Sequence, residues 1–231
     1  MNRIKTIITF IILLLLMAVF PYIPIELFHI NIDNLSMGMK ILYNFCCDLG
    51  FMIIVFMFYR NKLVTEFKDY FNNFISYFNL SFKYYIIGLI IMIVSNLLIS
   101  NFFSSAVAGN EEAVRGLIHL YPVYMLFSTA IYAPFIEEII FRRSIKDIIK
   151  SFNDGKYSKY IYIFISGFIF ALMHIIGQTT SYLDYLFIIP YLSLGMAFAA
   201  LYYRTDNIFT TIMLHALHNG VTVLLYIFLG V

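Results

Sequence analysis

The sequence predicts an all-α fold: a polytopic transmembrane helical bundle of about seven spans, with one amphipathic helix at the membrane surface. Three observations predict it. Of 231 residues, 62% are hydrophobic and only 12% charged, about half the charged share of an ordinary soluble domain. Apolar stretches long enough to cross a bilayer recur along the whole chain. The basic residues, finally, fall almost entirely on one side of those stretches. A chain of this composition cannot clothe itself in polar surface, and in lipid its backbone must satisfy itself within helices.

Taken in order, the stretches run over 7–28, 39–59, 84–103, 121–142, 160–177, 183–202 and 207–229. The first follows Arg3 and Lys5 and imitates a signal peptide. It is too long for one and lacks a small-x-small cleavage site, so it reads as an uncleaved first helix. Between the second and third stretches, Asn61 to Lys83 places Leu63, Phe67, Tyr70, Phe71, Phe74, Tyr77 and Phe78 at helical spacing. Lys62, Glu66, Asp69, Asn72 and Asn73 oppose them. That pattern predicts an amphipathic helix resting on the inner membrane surface, a structural brace in preference to a substrate-docking element. Ser104 to Leu120, with Glu111 and Glu112, reads as a solvated outer loop. Asp48 and Asn96 lie mid-span, where an interhelical hydrogen bond is the expected use of a polar side chain. Gly167 to Ala171 and Gly195 to Ala199 are small-xxx-small patterns that suit close helix packing. No repeat or soluble segment interrupts the chain, so residues 1–231 read as a single membrane domain.

Charge sets the orientation. With the N-terminus in the cytoplasm, 13 of the 15 Lys and Arg residues lie on the cytoplasmic side, and only Lys40 and Arg115 lie outside. The positive-inside rule then puts the C-terminus outside the cell membrane. A net charge of +2 gives no reason to expect a nucleic-acid partner; the lipid bilayer is the surrounding. Cys46 and Cys47 are neighbours in an apolar run and read as free thiols, with no disulfide framework implied.

The chemistry concentrates in Pro134-Phe135-Ile136-Glu137-Glu138-Ile139-Ile140-Phe141-Arg142-Arg143. A carboxylate inside an apolar span is costly and faces a bundle interior or a water-filled cavity. At about 100° per residue, Glu138 and Arg142 share a helix face and can pair, whereas Glu137 points away and is left available. Pro134, which has no N–H, disturbs the helix just before the pair. The bland alternative is an acidic flank at a helix end, neutralised by Arg142 and Arg143. Two later helices bring His174, preceded by Phe170, and His215 with Asn219 one turn on. A shared site is the economical way to satisfy Glu137, Glu138, His174, His215 and Asn219 together. Rise per residue is compatible with one cavity opening toward the cytoplasm. His218 reads as a packing residue.

The spacing Glu137-Glu138-xxx-Arg142, Phe170-xxx-His174 and His215-xxx-Asn219 resembles, in order, the three motifs of the CPBP intramembrane proteases. That family includes the type II CAAX prenyl endopeptidases and bacterial bacteriocin-processing and immunity proteins. The resemblance covers residues 120–225, which it marks as a catalytic core, and no motif position departs from it. It implies an intramembrane endopeptidase acting on a membrane-associated peptide or protein tail. By that likeness Glu137 and His174 hold and deprotonate a water, His215 and Asn219 donate to the oxyanion, and Glu138, Arg142 and Phe170 support them. The expected cofactor is none; zinc held by His174, His215 and Glu137 is the alternative, without an HExxH motif to recommend it. A competing function is a non-catalytic membrane regulator or bacteriocin-immunity protein of the same family. A transporter would spread its charged residues along a path, and here they cluster.

Overall fold

A computed structural model of the chain describes residues 3–102, 109–152, 155–177 and 182–230. Among the described residues there are helices and no strands. We number them α1 (Arg3–Phe28), α2 (Met37–Asn72), α3 (Phe74–Phe102), α4 (Gly109–Leu120), α5 (Pro122–Phe152), α6 (Ser158–Met173), α7 (Ile188–Thr205) and α8 (Phe209–Leu229). Six of them are long and apolar enough to cross a membrane, and α6 is a shorter apolar helix of 16 residues. The bundle is therefore polytopic and helical, with six full-length spans and one short one where seven were expected.

The helix ends follow from local chemistry. In α1 a 3-10 turn at Phe20–Tyr22 absorbs Pro21, Pro24 starts the next turn, and His29 closes the helix in the left-handed region at φ 50°. The Ser36 hydroxyl caps α2 by accepting from the Met39 N–H at 3.4 Å. From there α2 runs for 36 residues, about 54 Å of helix, well beyond a hydrocarbon core of about 30 Å.

That length corrects one expectation. The segment from Asn61 to Lys83 is helical and amphipathic, but it is not a separate surface helix: residues 61–72 continue α2 and residues 74–83 begin α3. The chain turns at Asn73, whose side chain donates to the Asp69 carboxylate at 2.9 Å. Two residues of the polar stripe, Glu66 and Asp69, face protein. Glu66 pairs with Arg143 and accepts the Ile208 N–H at 2.9 Å. Asp69 accepts from Asn207 at 2.9 Å and from the Tyr77 hydroxyl at 2.6 Å. The hairpin is thus a brace clamped to the turn between α7 and α8. The segment read as a solvated loop also differs: residues 104–108 lie outside the described residues, and 109–120 form α4, held by a Glu111–Arg115 pair at 2.6 Å. Its Ile118 is buried against Met125 and Val223.

At the centre lies α5, buried continuously from Glu138 to Lys146. It is no regular α-helix. Ser128–Tyr132 and Glu138–Ser144 are π-helical, a wider winding that recurs at functional sites. Asp48 of α2 accepts from the Tyr124 hydroxyl of α5 at 3.0 Å, the interhelical bond expected of it. Helices α6 and α7 pack backbone to backbone: a Cβ on Gly195 would lie 2.9 Å from the Gly167 carbonyl oxygen. Both small-residue patterns are therefore used as expected. Gly88 does the same for α3, where an added Cβ would meet Ala197 at 2.8 Å. Cys46 and Cys47 are free thiols.

Candidate active site

The π-helical segments of α5 place its two glutamates. Glu138 is wholly buried, and its Oε2 accepts from the Arg142 Nε at 3.0 Å, the i,i+4 pair read from the sequence. A surface flank at a helix end would be solvated, so the bland reading of this stretch does not hold. Arg142 is equally buried, reaches the Ser166 hydroxyl and carbonyl at 3.3 and 3.4 Å, and lies over the Phe170 ring at 4.4 Å. Glu138 has a second partner that the sequence did not reveal. Its Oε1 accepts from His215 Nδ1 at 2.9 Å, so one carboxylate locks both the arginine and the histidine of α8. That bond fixes the ring and presents its other nitrogen, Nε2, away from Glu138.

Glu137 turns the other way. Its Oε2 is buried and has no hydrogen-bond partner. Buried polar atoms are nearly always satisfied, so an orphaned carboxylate oxygen marks a site with work for it.

His174 was expected inside the fifth span; it stands at the C-terminal cap of α6. The last carbonyls of a helix lack intrahelical partners, and His174 Nδ1 donates to one of them, Phe170 O, at 2.9 Å. A carbonyl only accepts, so the proton sits on Nδ1 and the neutral ring offers its Nε2 lone pair. Phe170 lies 4.4 Å from His174 and 5.9 Å from His215, centroid to centroid, and so separates and orients both rings. Tyr191 stacks on His174 at 4.7 Å.

Asn219 owes its position to Pro134. The Ala133 N–H bonds to Ser128 O, five residues back; continued one residue, that register would give Thr129 O the N–H of residue 134. Proline has none. The freed Thr129 carbonyl accepts instead from Asn219 Nδ2 at 2.8 Å, leaving the second amide hydrogen unassigned.

Glu137, Phe170, His174, His215 and Asn219 line one cavity of about 390 Å³. Glu138 and Arg142 lie behind it. His218 also lines it and bonds the Tyr85 hydroxyl at 3.0 Å through Nδ1, a partner invisible in sequence. Asn96 contributes to the wall from α3. Sequence reasoning missed Asn110, Glu111 and Arg115, which α4 brings to the same cavity; their i,i+4 charge pair was the available signal. The lining comes from α4 and from the parts of α3, α7 and α8 nearest α4, at the end away from Arg143 and the Lys146–Asp206 pair.

A zinc ion would need His174, His215 and Glu137 as ligands. Among the described residues no three His, Cys, Asp or Glu side chains converge to hold a metal. What the cavity offers is a free carboxylate, a neutral imidazole lone pair, a carboxylate-oriented imidazole and an amide donor, all partly shielded from water.

Residues 119–221 match the family model "Type II CAAX prenyl endopeptidase Rce1-like". The chain is also similar to the membrane-embedded CAAX protease MroQ of Staphylococcus aureus (strain USA300), 29% identical over 137 residues. That match covers 58% of this chain and 51% of the relative, so it spans about half of that protein's length. No solved structure matches the chain. The matched segment contains all three motifs and the whole of α5 to α7, the helices that carry Glu137 and His174. By its motifs, its helical membrane bundle and this shared core, the chain is similar to the CPBP intramembrane proteases over residues 119–221.

Proposed function

We propose that the chain is an intramembrane endopeptidase that hydrolyses a peptide bond in a membrane-associated peptide or protein tail. The observation that carries the proposal is the unpartnered, buried Oε2 of Glu137 in the cavity shared with His174, His215 and Asn219. In this mechanism a water binds between the Glu137 carboxylate and His174 Nε2. Glu137 takes its proton as the water oxygen attacks the scissile carbonyl carbon, and the proton later passes to the leaving amine. The negative charge that develops on the carbonyl oxygen needs fixed donors. Asn219 supplies one through its second amide hydrogen. His215, with Nδ1 committed to Glu138, donates from Nε2 once its ring carries both protons. Glu138 and Arg142 hold the geometry and touch no substrate.

The reaction, on this reading, needs no metal. With the basic end of the bundle in the cytoplasm, the cavity is reached from the membrane interior or from the side bearing α4. The substrate is a peptide presented at the bilayer. MroQ is described as a CAAX protease, which makes lipid-anchored tails the first substrates to try.

The test is hydrolysis of a membrane-peptide library by the purified chain in liposomes, with and without Glu137→Gln, and before and after chelation. Cleavage that survives chelation and disappears with Glu137→Gln supports the reading. Cleavage lost on chelation and restored by zinc alone would move the two histidines into ligand roles. No cleavage of any peptide by a folded protein would favour the non-catalytic regulator or immunity function.

A further inference from the structure

The end of the bundle away from the active-site cavity carries a second opening. Helices α1 and α2, with α5 behind them, enclose a cleft of about 600 Å³. Three cations edge it, Lys5 from α1 and Arg60 and Lys62 from α2, against one carboxylate, Asp147 of α5. The cleft is net positive. Its other wall is apolar: Met57 and Phe58, one turn before the cations on α2, line it while remaining 69% and 64% exposed. Exposed apolar side chains thus stand one turn from exposed cations along this wall of the cleft.

A soluble anion would meet only the cationic half. An amphiphile with an anionic head and a hydrocarbon tail meets both halves, and basic pockets between spanning helices bind such heads. We propose that this cleft binds an anionic glycerophospholipid. Its phosphate contacts Arg60 and Lys62, and an acyl chain lies along Met57 and Phe58. The site is separate from the cavity around Glu137 and does not depend on peptidase activity. It does touch the central helix: Ser144 lines the cleft, and its hydroxyl donates to Ile139 O at 3.1 Å within the second π-helical segment.

The experiment uses the full chain in neutral detergent, with native mass spectrometry for retention and a melting curve for stabilisation. The probes are phosphatidylglycerol, phosphatidylcholine, glycerol phosphate and inorganic phosphate. Phosphatidylglycerol is expected to be retained and to raise the melting temperature, and the other three are not. Each cation near the surface is worth about fivefold in binding, so Arg60→Gln with Lys62→Gln should weaken phosphatidylglycerol about 25-fold. Lys68→Gln with Lys83→Gln removes the same charge outside the cleft and should change nothing. Equal retention of phosphatidylcholine, or equal loss in the Lys68 and Lys83 control, would overturn the proposal. Stabilisation by inorganic or glycerol phosphate matching that of the lipid would assign the cleft to a soluble anion and overturn it as well.

Discussion

Replacing Glu138 and Glu137 by glutamine makes the same chemical change at neighbouring positions, and the structure predicts opposite consequences. Glu138→Gln keeps one acceptor oxygen but must now serve both Arg142 Nε and His215 Nδ1, which stand 3.0 and 2.9 Å from separate carboxylate oxygens. The amide NH2 that replaces one oxygen faces a donor. Arg142, fully buried, is left with Ser166 contacts of 3.3 and 3.4 Å and no counter-charge. Breaking a buried pair in this way costs about 3–5 kcal/mol. At about 2–4 °C per kcal/mol for a chain of this size, the melting temperature falls by about 6–20 °C. Glu137→Gln removes no hydrogen bond from Oε2, because there is none to remove. The protein should melt like wild type, while loss of the base lowers cleavage about 10²–10⁴-fold. Arg142→Gln should resemble Glu138→Gln, and the double variant should cost less than the sum, since the two act as a unit. The assay is a melting curve and a cleavage rate for all four variants at matched protein density in liposomes. A Glu138→Gln protein that melts normally and is inactive, beside a Glu137→Gln protein that cleaves, would refute the assignment of the base.

Three other outcomes are expected. Gly195→Ala puts a Cβ 2.9 Å from backbone at Gly167 and should cost about 1–3 kcal/mol by melting, whereas Gly38→Ala, with nothing within 4 Å, should be neutral or stabilising by about 0.4–1 kcal/mol. Burial pushes the Asp206 carboxyl up, but the hydrogen bond and charge of Lys146 outweigh it and hold it below its ordinary value. Its contribution is therefore present above the ordinary carboxylate range and lost as the pH falls through the lower folded value. Asp206→Asn should flatten that acid limb of the melting profile, and only slightly, because the side chain is 72% exposed. For orientation, a cysteine at Arg115 should react with a membrane-impermeant reagent in intact cells and one at Lys150 should not; the reverse pattern would invert the bundle.

Hydropathy located the spans because it measures where side chains prefer hydrocarbon, and for the same reason it misjudged where helices end. The apolar run of α2 stops near residue 59, yet the helix continues to Asn72. Its last turns are polar because Glu66 and Asp69 bind Arg143, Ile208 and Asn207. Those partners lie some 77 to 142 residues away in sequence, and no local pattern reports them. The error at His174 was of the opposite kind. Ile175 and Ile176 prolong the apolar run, so the span looked unbroken. The helix nevertheless ends at Met173, where the His174 side chain takes the carbonyl of Phe170.

The site was legible wherever one helix sufficed. Glu138 with Arg142 followed from a four-residue spacing, and so did the isolation of Glu137. The bond from His215 to Glu138 required two helices to meet, and the sequence offered only the general cost of a polar group in hydrocarbon as a hint. Asn219 lies between these cases. Pro134 could be seen as a disturbance of α5, but its effect depends on the winding around it. In an α-helical register its missing N–H would orphan the carbonyl of Ala130; in the π-helical register, that of Thr129, which Asn219 takes. A proline in the central helix thus sets the position of an amide on another. The same reasoning explains why the first π-helical segment stands where it does. It turns an unavoidable unsatisfied carbonyl toward α8, where a side chain can use it.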